Sequence, residues 1–396
     1  MKMKIAMAGL VMVLSASLLY GQAFRNPPPG TASISQAGAF TAQADDASAV
    51  SQNPAGLVQI KGHQIIIGSD ILFPETKYKS PGFSEYADSS TAYLPYFFFS
   101  TDFRGTAPVR FGLGVNVPYG QSTEWSYDAV RNWLYSVPHY SAMQTVNISP
   151  VLAYGITPEL SAGAGFNIYT SKLELKYLLA PPPPPPDEMH AKVDVDGTGY
   201  GGSFGLLYKT DNISIGATYK TGFDIDYDGD YSVPGVLKED AETAMDFPPA
   251  ACLGIAVYPN RKLKIEFDAE WIGYSCMDKI PVDITVIPPY EIDKDWDDCY
   301  TFAIGTEYKK SERTILRGGI AYLTTPIPDS TLEPSMPDSD SFIITAGGEF
   351  ITKIGAFNLM LGAHLYTDRK IDNGGPYDGK YGTRAYFGAV EYKKGF

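Results

Sequence analysis

The stretch from Lys262 to Gly273 constrains this chain most: Leu263, Ile265, Phe267, Ala269 and Trp271 alternate with Lys264, Glu266, Asp268 and Glu270. A period of two puts these sets on opposite faces of a strand, and no helix produces it. From Ile213 to Asp228 the pattern repeats, with Ile213, Ile215, Ala217, Tyr219, Phe223, Ile225 and Tyr227 set against Ser214, Gly216, Thr218, Lys220, Asp224, Asp226 and Asp228. One face is greasy and the other wet. Such strands suit either a soluble sandwich or a membrane barrel, so length must separate the two. These segments run about 10 to 16 residues, whereas sandwich strands run about 5 to 6 and a tilted strand crosses a bilayer in about 9 to 11.

The connections alternate short and long. Short turns are expected at about 102–107, 156–159, 209–212, 258–261, 309–312 and 352–356, and long loops at about 80–90, 120–143, 177–197, 229–245, 276–297, 326–340 and 371–381. That asymmetry is typical of outer-membrane barrels. Six turns and seven loops make fourteen strands, and an even number leaves both barrel ends on the side of the short turns. The expected fold is all-β, a transmembrane antiparallel barrel of about 14 strands spanning 62–396. Tyr386, Val390, Tyr392 and Phe396 share one face of its last strand, and a terminal aromatic on the lipid face resembles the signal by which such barrels are recognised for assembly.

Composition agrees with that reading. The 396 residues hold 39 Gly, 28 Tyr and 20 Phe, are 19% charged, and have a mean hydropathy of -0.12. That hydropathy is too low for a bundle of membrane helices, and no stretch after Ala23 offers the roughly 20 apolar residues one such helix needs. Residues 1–23, with Lys2 and Lys4 ahead of an apolar run from Ile5 to Tyr20 and then Gly21-Gln22-Ala23, read as a secretory signal peptide. The expected location is the bacterial outer membrane. A formal net charge of -14 argues against nucleic acid as a partner. Cys252, Cys276 and Cys299 are an odd count for an oxidising compartment, so one thiol at least stays unpaired; Cys276 and Cys299 flank one loop and either pair or remain free.

Three features invite a chemical reading. Gly201-Gly202-Ser203-Phe204-Gly205 matches the nucleophile-elbow pattern of lipases, but that motif needs a strand-to-helix turn and here lies within an alternating strand. His63, His139, His190 and His364 stand singly, and the acidic runs Asp224 to Asp230 and Asp293 to Asp298 lack calcium-loop spacing, so no metal and no cofactor is expected. The prolines at 181–186 would form a stiff spur of about 19 Å in a long loop.

Residues 24–61 are small and polar without sustained alternation, and their composition fits either a tail or a plug. Within them, Ala42 to Leu57 reads AQADDASAVSQNPAGL, and there the chain resembles the FadL/TodX family of outer-membrane transporters for long-chain fatty acids and other hydrophobic compounds. VRFGLGVNVPYGQSTEW from Val109, ISPVLAYGITPELSAGAGFN from Ile148, FPPAACLGIAVYPNRKLKIEFDAEW from Phe247 and RGGIAYLTTPIPDSTLEPSMPDSDSF from Arg317 continue the resemblance in order.

The resemblance implies that 24–61 fold as a hatch inside the lumen, with Asn53, Pro54 and Ala55 packed against an inward kink in the third strand. Gly112, Gly114, Asn116 and Pro118 are the residues such a kink would use. It further implies passive, hatch-gated transport of fatty acids or similar compounds, with lateral exit at that strand. Arg317, Lys172 and Lys220, placed inward by alternation, are the candidate partners for a ligand carboxylate or, alternatively, for lumen acids. The expected partners are hydrophobic small molecules, outer-membrane lipid and lipopolysaccharide, and the barrel assembly machinery, and the expected state is a monomer. Against this stand two readings of other classes, a non-transporting adhesin or structural porin and a lipid-modifying enzyme.

Overall fold

The computed structural model describes residues 22–88, 90–105, 108–179 and 189–396. Most of the expected signal peptide and the prolines at 181–186 lie outside the described residues. The remainder is a closed antiparallel barrel of fourteen strands. In chain order they are β1 (His63–Ser80), β2 (Ala92–Thr101), β3 (Val109–Glu124), β4 (Tyr140–Gly155), β5 (Leu160–Leu178) and β6 (His190–Lys209). Four strands follow in two sections each: β7 (Ile213–Lys220, then Phe223–Val233), β8 (Leu237–Phe247, then Ala250–Asn260), β9 (Leu263–Ile272, then Lys279–Ile284) and β10 (Ile287–Asp293, then Cys299–Ser311). The last are β11 (Thr314–Leu323), β12 (Ser341–Ile351), β13 (Ala356–Tyr366) and β14 (Gly379–Gly395). The barrel closes where β14 pairs with β1, from Gln64 opposite Gly395 to Lys79 opposite Lys380.

At the short-turn end the connections fall close to their expected places. At the other end several expected loops are shorter, because the strands continue past the bilayer. The loops expected at 80–90, 229–245 and 276–297 are largely paired backbone, with tips between Ser80 and Phe83, Val233 and Leu237, and Ile284 and Ile287.

The continuous greasy face expected from Ile213 to Asp228 is split. In the lower section of β7, Ile213, Ile215 and Tyr219 are exposed on the lipid side, whereas above the break at Thr221 and Gly222, Phe223, Ile225 and Tyr227 are buried and Asp224, Asp226 and Asp228 exposed. The Pro248-Pro249 break does the same in β8: Leu253, Ile255 and Val257 face out below it, and Met245 and Phe247 face in above it. Within the bilayer a barrel needs apolar side chains outside. Beyond it, water lies outside, so the apolar side chains turn inward and give the barrel an oily upper interior.

Lys264, Glu266 and Asp268 of β9 point into the lumen and are at most 4% exposed, as their alternation indicated. They meet the N-terminal segment 22–60, nearly all of which is buried. Buried carboxylates need donors, and here backbone amides supply them. Asp268 accepts from the N–H of Phe40 (3.1 Å) and Thr41 (2.9 Å), Glu266 from those of Ala42 (2.6 Å) and Gln43 (3.2 Å), and Glu391 of β14 from that of Thr31 (2.8 Å). The segment is thus tied to opposite walls of the barrel.

Candidate functional site

Asn53, Pro54 and Ala55 begin a short 3-10 turn, Pro54–Gln59, for which Asn53 is the N-cap: its Oδ1 accepts from the N–H of Ala55 at 3.1 Å, and proline at the first position needs no donor partner. Asn53 Nδ2 donates to the carbonyls of Thr41 (2.8 Å) and Leu206 (3.1 Å), and Ser161 Oγ donates to the carbonyl of Ala55 (3.1 Å). A Cβ on Gly205 would lie 2.1 Å from Asn53 Oδ1, so the wall is thinned to admit the motif. The expectation that the motif packs on a kink in β3 is therefore corrected. Its neighbours are Ser161 of β5 and Gly205 and Leu206 of β6.

The third strand is irregular all the same. β2 and β3 pair only from Phe97 opposite Val115 to Thr101 opposite Phe111, and the β3–β4 register shifts between Asn116 and Tyr119. Above Val115 no ladder joins β3 to β2 among the described residues, and the next pairing is an isolated bridge between Glu124 of β3 and Asp88, in the connection that precedes β2. We call the stretch of wall between these points, where β3 has lost its β2 partner, the β3 window.

Asn116 and Pro118 sit at the irregularity. Gly112 and Gly114 sit below it, in the paired part, opposite Ser100 and Phe98. Their lack of a side chain makes room for the N-terminal segment, since a Cβ on either would come within 2.8 Å of Val50.

From inside, residues 24–26 cover the window. Arg25 forms a bridge with Tyr119, the Asn26 N–H donates to the Pro118 carbonyl (2.9 Å), and the Gly120 N–H donates to the Phe24 carbonyl (2.8 Å). Asn26 Nδ2 adds a bond to the Val117 carbonyl at 2.9 Å. The segment takes the ladder position that β2 vacates, which satisfies backbone groups that hydrocarbon would leave orphaned.

Above the window an apolar cavity of about 450 Å³ is lined by Met143, Leu173, Val193, Met245, Val282 and Trp296, among others. Loop residues Tyr135 and Pro138, and Ile327 and Met336, line it too. Its floor is Phe24, whose ring meets Tyr119, Phe247 and Tyr274 edge-on at centroid distances of 5.9, 5.4 and 5.5 Å. Beneath the floor lies a smaller, more polar chamber of about 100 Å³ that reaches Asn116 and Pro118. Arg25, Lys220, Cys252, Asp268 and Glu270 line it. Sequence reading missed Phe24, Arg25 and Glu270, although the Phe24-Arg25 pair ahead of Pro27-Pro28-Pro29 was the available signal.

The three candidate cations have different fates. Arg317 lies at the lumen base, where Nε and Nη2 donate to Glu307 (2.9 Å) and Glu349 (3.0 Å) and Nη1 to Asn358 (3.2 Å), so its donors are engaged. Lys172 points outward, against expectation, and pairs with Asp194 at 2.8 Å; on β5 it is the buried odd-numbered residues, Ser161, Asn167, Tyr169 and Ser171, that face the lumen. Lys220 faces the polar chamber and makes no ion pair among the described residues. The three thiols are free, including Cys276 and Cys299.

Residues 21–396 match the family described as outer membrane protein transport protein (OMPP1/FadL/TodX). The long-chain fatty acid transport protein of Salmonella typhi is 24% identical, and that of Escherichia coli strain K12 is 22% identical; in both cases 89% of each chain is covered. Among solved structures, a Pseudomonas aeruginosa FadL homologue superposes with a TM-score of 0.83 at 20% identity over 94% of this chain and 100% of its own. The Pseudomonas putida toluene transporter TodX gives 0.75 at 20% identity, over 95% and 100%. With a sequence match over all but the first twenty residues and a fold shared with two such barrels, this chain belongs to the OMPP1/FadL/TodX family of outer-membrane transport proteins.

Proposed function

We propose that the protein carries long-chain fatty acids, or apolar molecules of similar shape, passively across the outer membrane, with the N-terminal segment as gate and the β3 window as exit. One observation carries this reading. The β2–β3 ladder is open where Phe24 to Asn26 cover it, at the base of an apolar cavity.

The physical logic lies in where the solute is most stable. Burial of an alkyl chain yields about 0.8 kcal/mol per CH₂, so a long chain held in the upper cavity gains nothing from an aqueous pore below it. Sideways passage into hydrocarbon keeps that free energy throughout. Withdrawal of Phe24 opens the floor, withdrawal of Arg25 and Asn26 opens the window, and one short movement accomplishes both. Lys220 gives an acid head group a cation next to that exit, so we assign the carboxylate to Lys220 rather than to Arg317 or Lys172.

Loss of residues 24–61, or the substitution Asn53→Ala, should change fatty-acid uptake by cells in which this barrel is the sole route. Uptake equal to wild type in both would remove the gating role.

A further inference from the structure

The formal charge of the whole chain is -14, yet half of one rim of the barrel is strongly basic. Arg261 and Lys262 form the turn between β8 and β9 and are exposed. Lys309, Lys310 and Arg313 flank the next turn on the same rim, between β10 and β11, and are exposed as well. Lys353, between β12 and β13, and Lys394, at the end of β14, continue the arc. Register brings the first two groups together, because Leu263 stands opposite Tyr308. Seven cations thus follow one another along half of the short-turn rim. None makes an ion pair among the described residues, and Glu312 is the single acid in those turns.

An arc of this kind is not a by-product of composition. At the opposite end the outward faces of β7 and β8 carry acids in register, with Asp228 opposite Glu242 and Asp224 opposite Asp246. The barrel is electrically polar along its axis.

What lies against the basic arc follows from its border. Tyr308, Phe350, Phe357 and Phe396 are each more than 40% exposed next to it, and Leu316 and Leu359 continue the apolar band. Aromatic side chains at a strand end mark the level of lipid head groups, and lysines at that level attract anionic ones.

We infer that the short-turn rim from β8 to β14 is a binding surface for anionic phospholipid head groups in the adjacent leaflet, which holds the barrel at fixed depth and rotation. Phosphate recognition by several flexible lysines needs no single geometry, which agrees with an arc and not a cleft. A soluble anionic polymer could be attracted by the same charges, but it would draw no advantage from the aromatic border.

The test uses the full barrel in nanodiscs of equal phosphatidylglycerol and phosphatidylethanolamine, with the lipids retained on transfer to detergent measured by mass spectrometry. Wild type should retain phosphatidylglycerol with roughly tenfold enrichment, and the variant carrying Lys262→Gln, Lys309→Gln, Lys310→Gln and Lys353→Gln should fall to within about twofold of parity. The variant Lys238→Gln, Lys279→Gln, Lys370→Gln and Lys380→Gln, altered at the other end, should keep the enrichment. If the first variant does not fold, as judged by heat-modifiable migration, wild type in about 0.5 M salt serves instead, where screening should remove most of the enrichment. No enrichment in wild type, enrichment kept by the rim variant or at high salt, or enrichment lost only in the opposite-end variant would overturn the inference. So would rim-dependent sedimentation with peptidoglycan in the absence of lipid preference.

Discussion

Arg25 holds Glu270 through both carboxylate oxygens, at 2.8 and 2.7 Å, and so binds the tip of the N-terminal segment to the far wall of the barrel from the β3 window. Both side chains are only about 20% exposed, and both line the polar chamber. A bidentate pair in such a place orients more than it stabilises.

Arg25→Ala leaves Glu270 without its partner. The cost should be about 2 kcal/mol, below the 3–5 kcal/mol of a fully buried broken pair, because the chamber admits water. Glu270→Gln in the same chain should restore about half. Urea unfolding of the reconstituted barrel checks this, and an additive double variant would refute the pairing's energetic role.

Lys220→Met should distinguish acids from hydrocarbons. If the Lys220 ammonium receives a carboxylate, uptake of a fatty acid falls several-fold while that of a neutral monoaromatic compound is little changed. Equal effects on both would place Lys220 outside head-group recognition.

Gly205→Ala drives a methyl group into Asn53 Oδ1 and Pro54, whose Cδ already lies 3.0 Å from that position. The N-terminal segment should shift from the wall, with a loss of roughly 1–3 kcal/mol and greater leakage of small solutes. Asn53→Ala should partly suppress the defect by vacating the space. Leakage unchanged by Gly205→Ala would contradict the close approach.

Asp338 lies in the loop between β11 and β12, where it accepts from the Ala23 N–H at 3.1 Å and from Thr325 Oγ1 at 2.7 Å. Burial pushes its carboxyl up from 3.8 to about 6, against the lowering effect of those bonds and of Arg369. The unfolded chain therefore loses this proton first, and stability from this group falls as pH rises between about 4 and 6. Asp338→Asn abolishes the loss, so its stability advantage over wild type should widen from pH 4 to pH 7, by at most roughly 3 kcal/mol. An advantage that does not vary with pH would show the carboxyl to be ordinary.

How much of this was legible follows from the physics of each element. Lys264, Glu266 and Asp268 declared their lumen face because a strand inside a bilayer has no other place for them. The inward turn of Phe223, Ile225 and Tyr227 was not legible from alternation, since the Thr221-Gly222 break changes the face without interrupting the apolar period. Lys172 was misplaced because lysine is tolerated on either face above the membrane. Asn53-Pro54-Ala55 was visible as a motif, but its neighbours on β5 and β6 are contacts of long range that a local pattern does not encode. The window was half visible: Asn116 and Pro118 mark its lower edge, whereas its cover by Phe24 to Asn26 depends on backbone bonds between segments some ninety residues apart.

The central claim is that residues 24–26 must leave β3 for a solute to pass. Arg25 and Tyr119 form a bridge with the backbone bonds on either side of it, the closer kind of antiparallel pair, with about 4.5 Å between Cα atoms, which a disulfide can span. In a background with Cys252, Cys276 and Cys299 replaced by Ser, the double variant Arg25→Cys, Tyr119→Cys can be oxidised to lock the cover in place. Fatty-acid uptake should be lost on oxidation and return on reduction, with the barrel folded in both states. Uptake by the oxidised, verifiably cross-linked barrel at the rate of the reduced one would contradict the account.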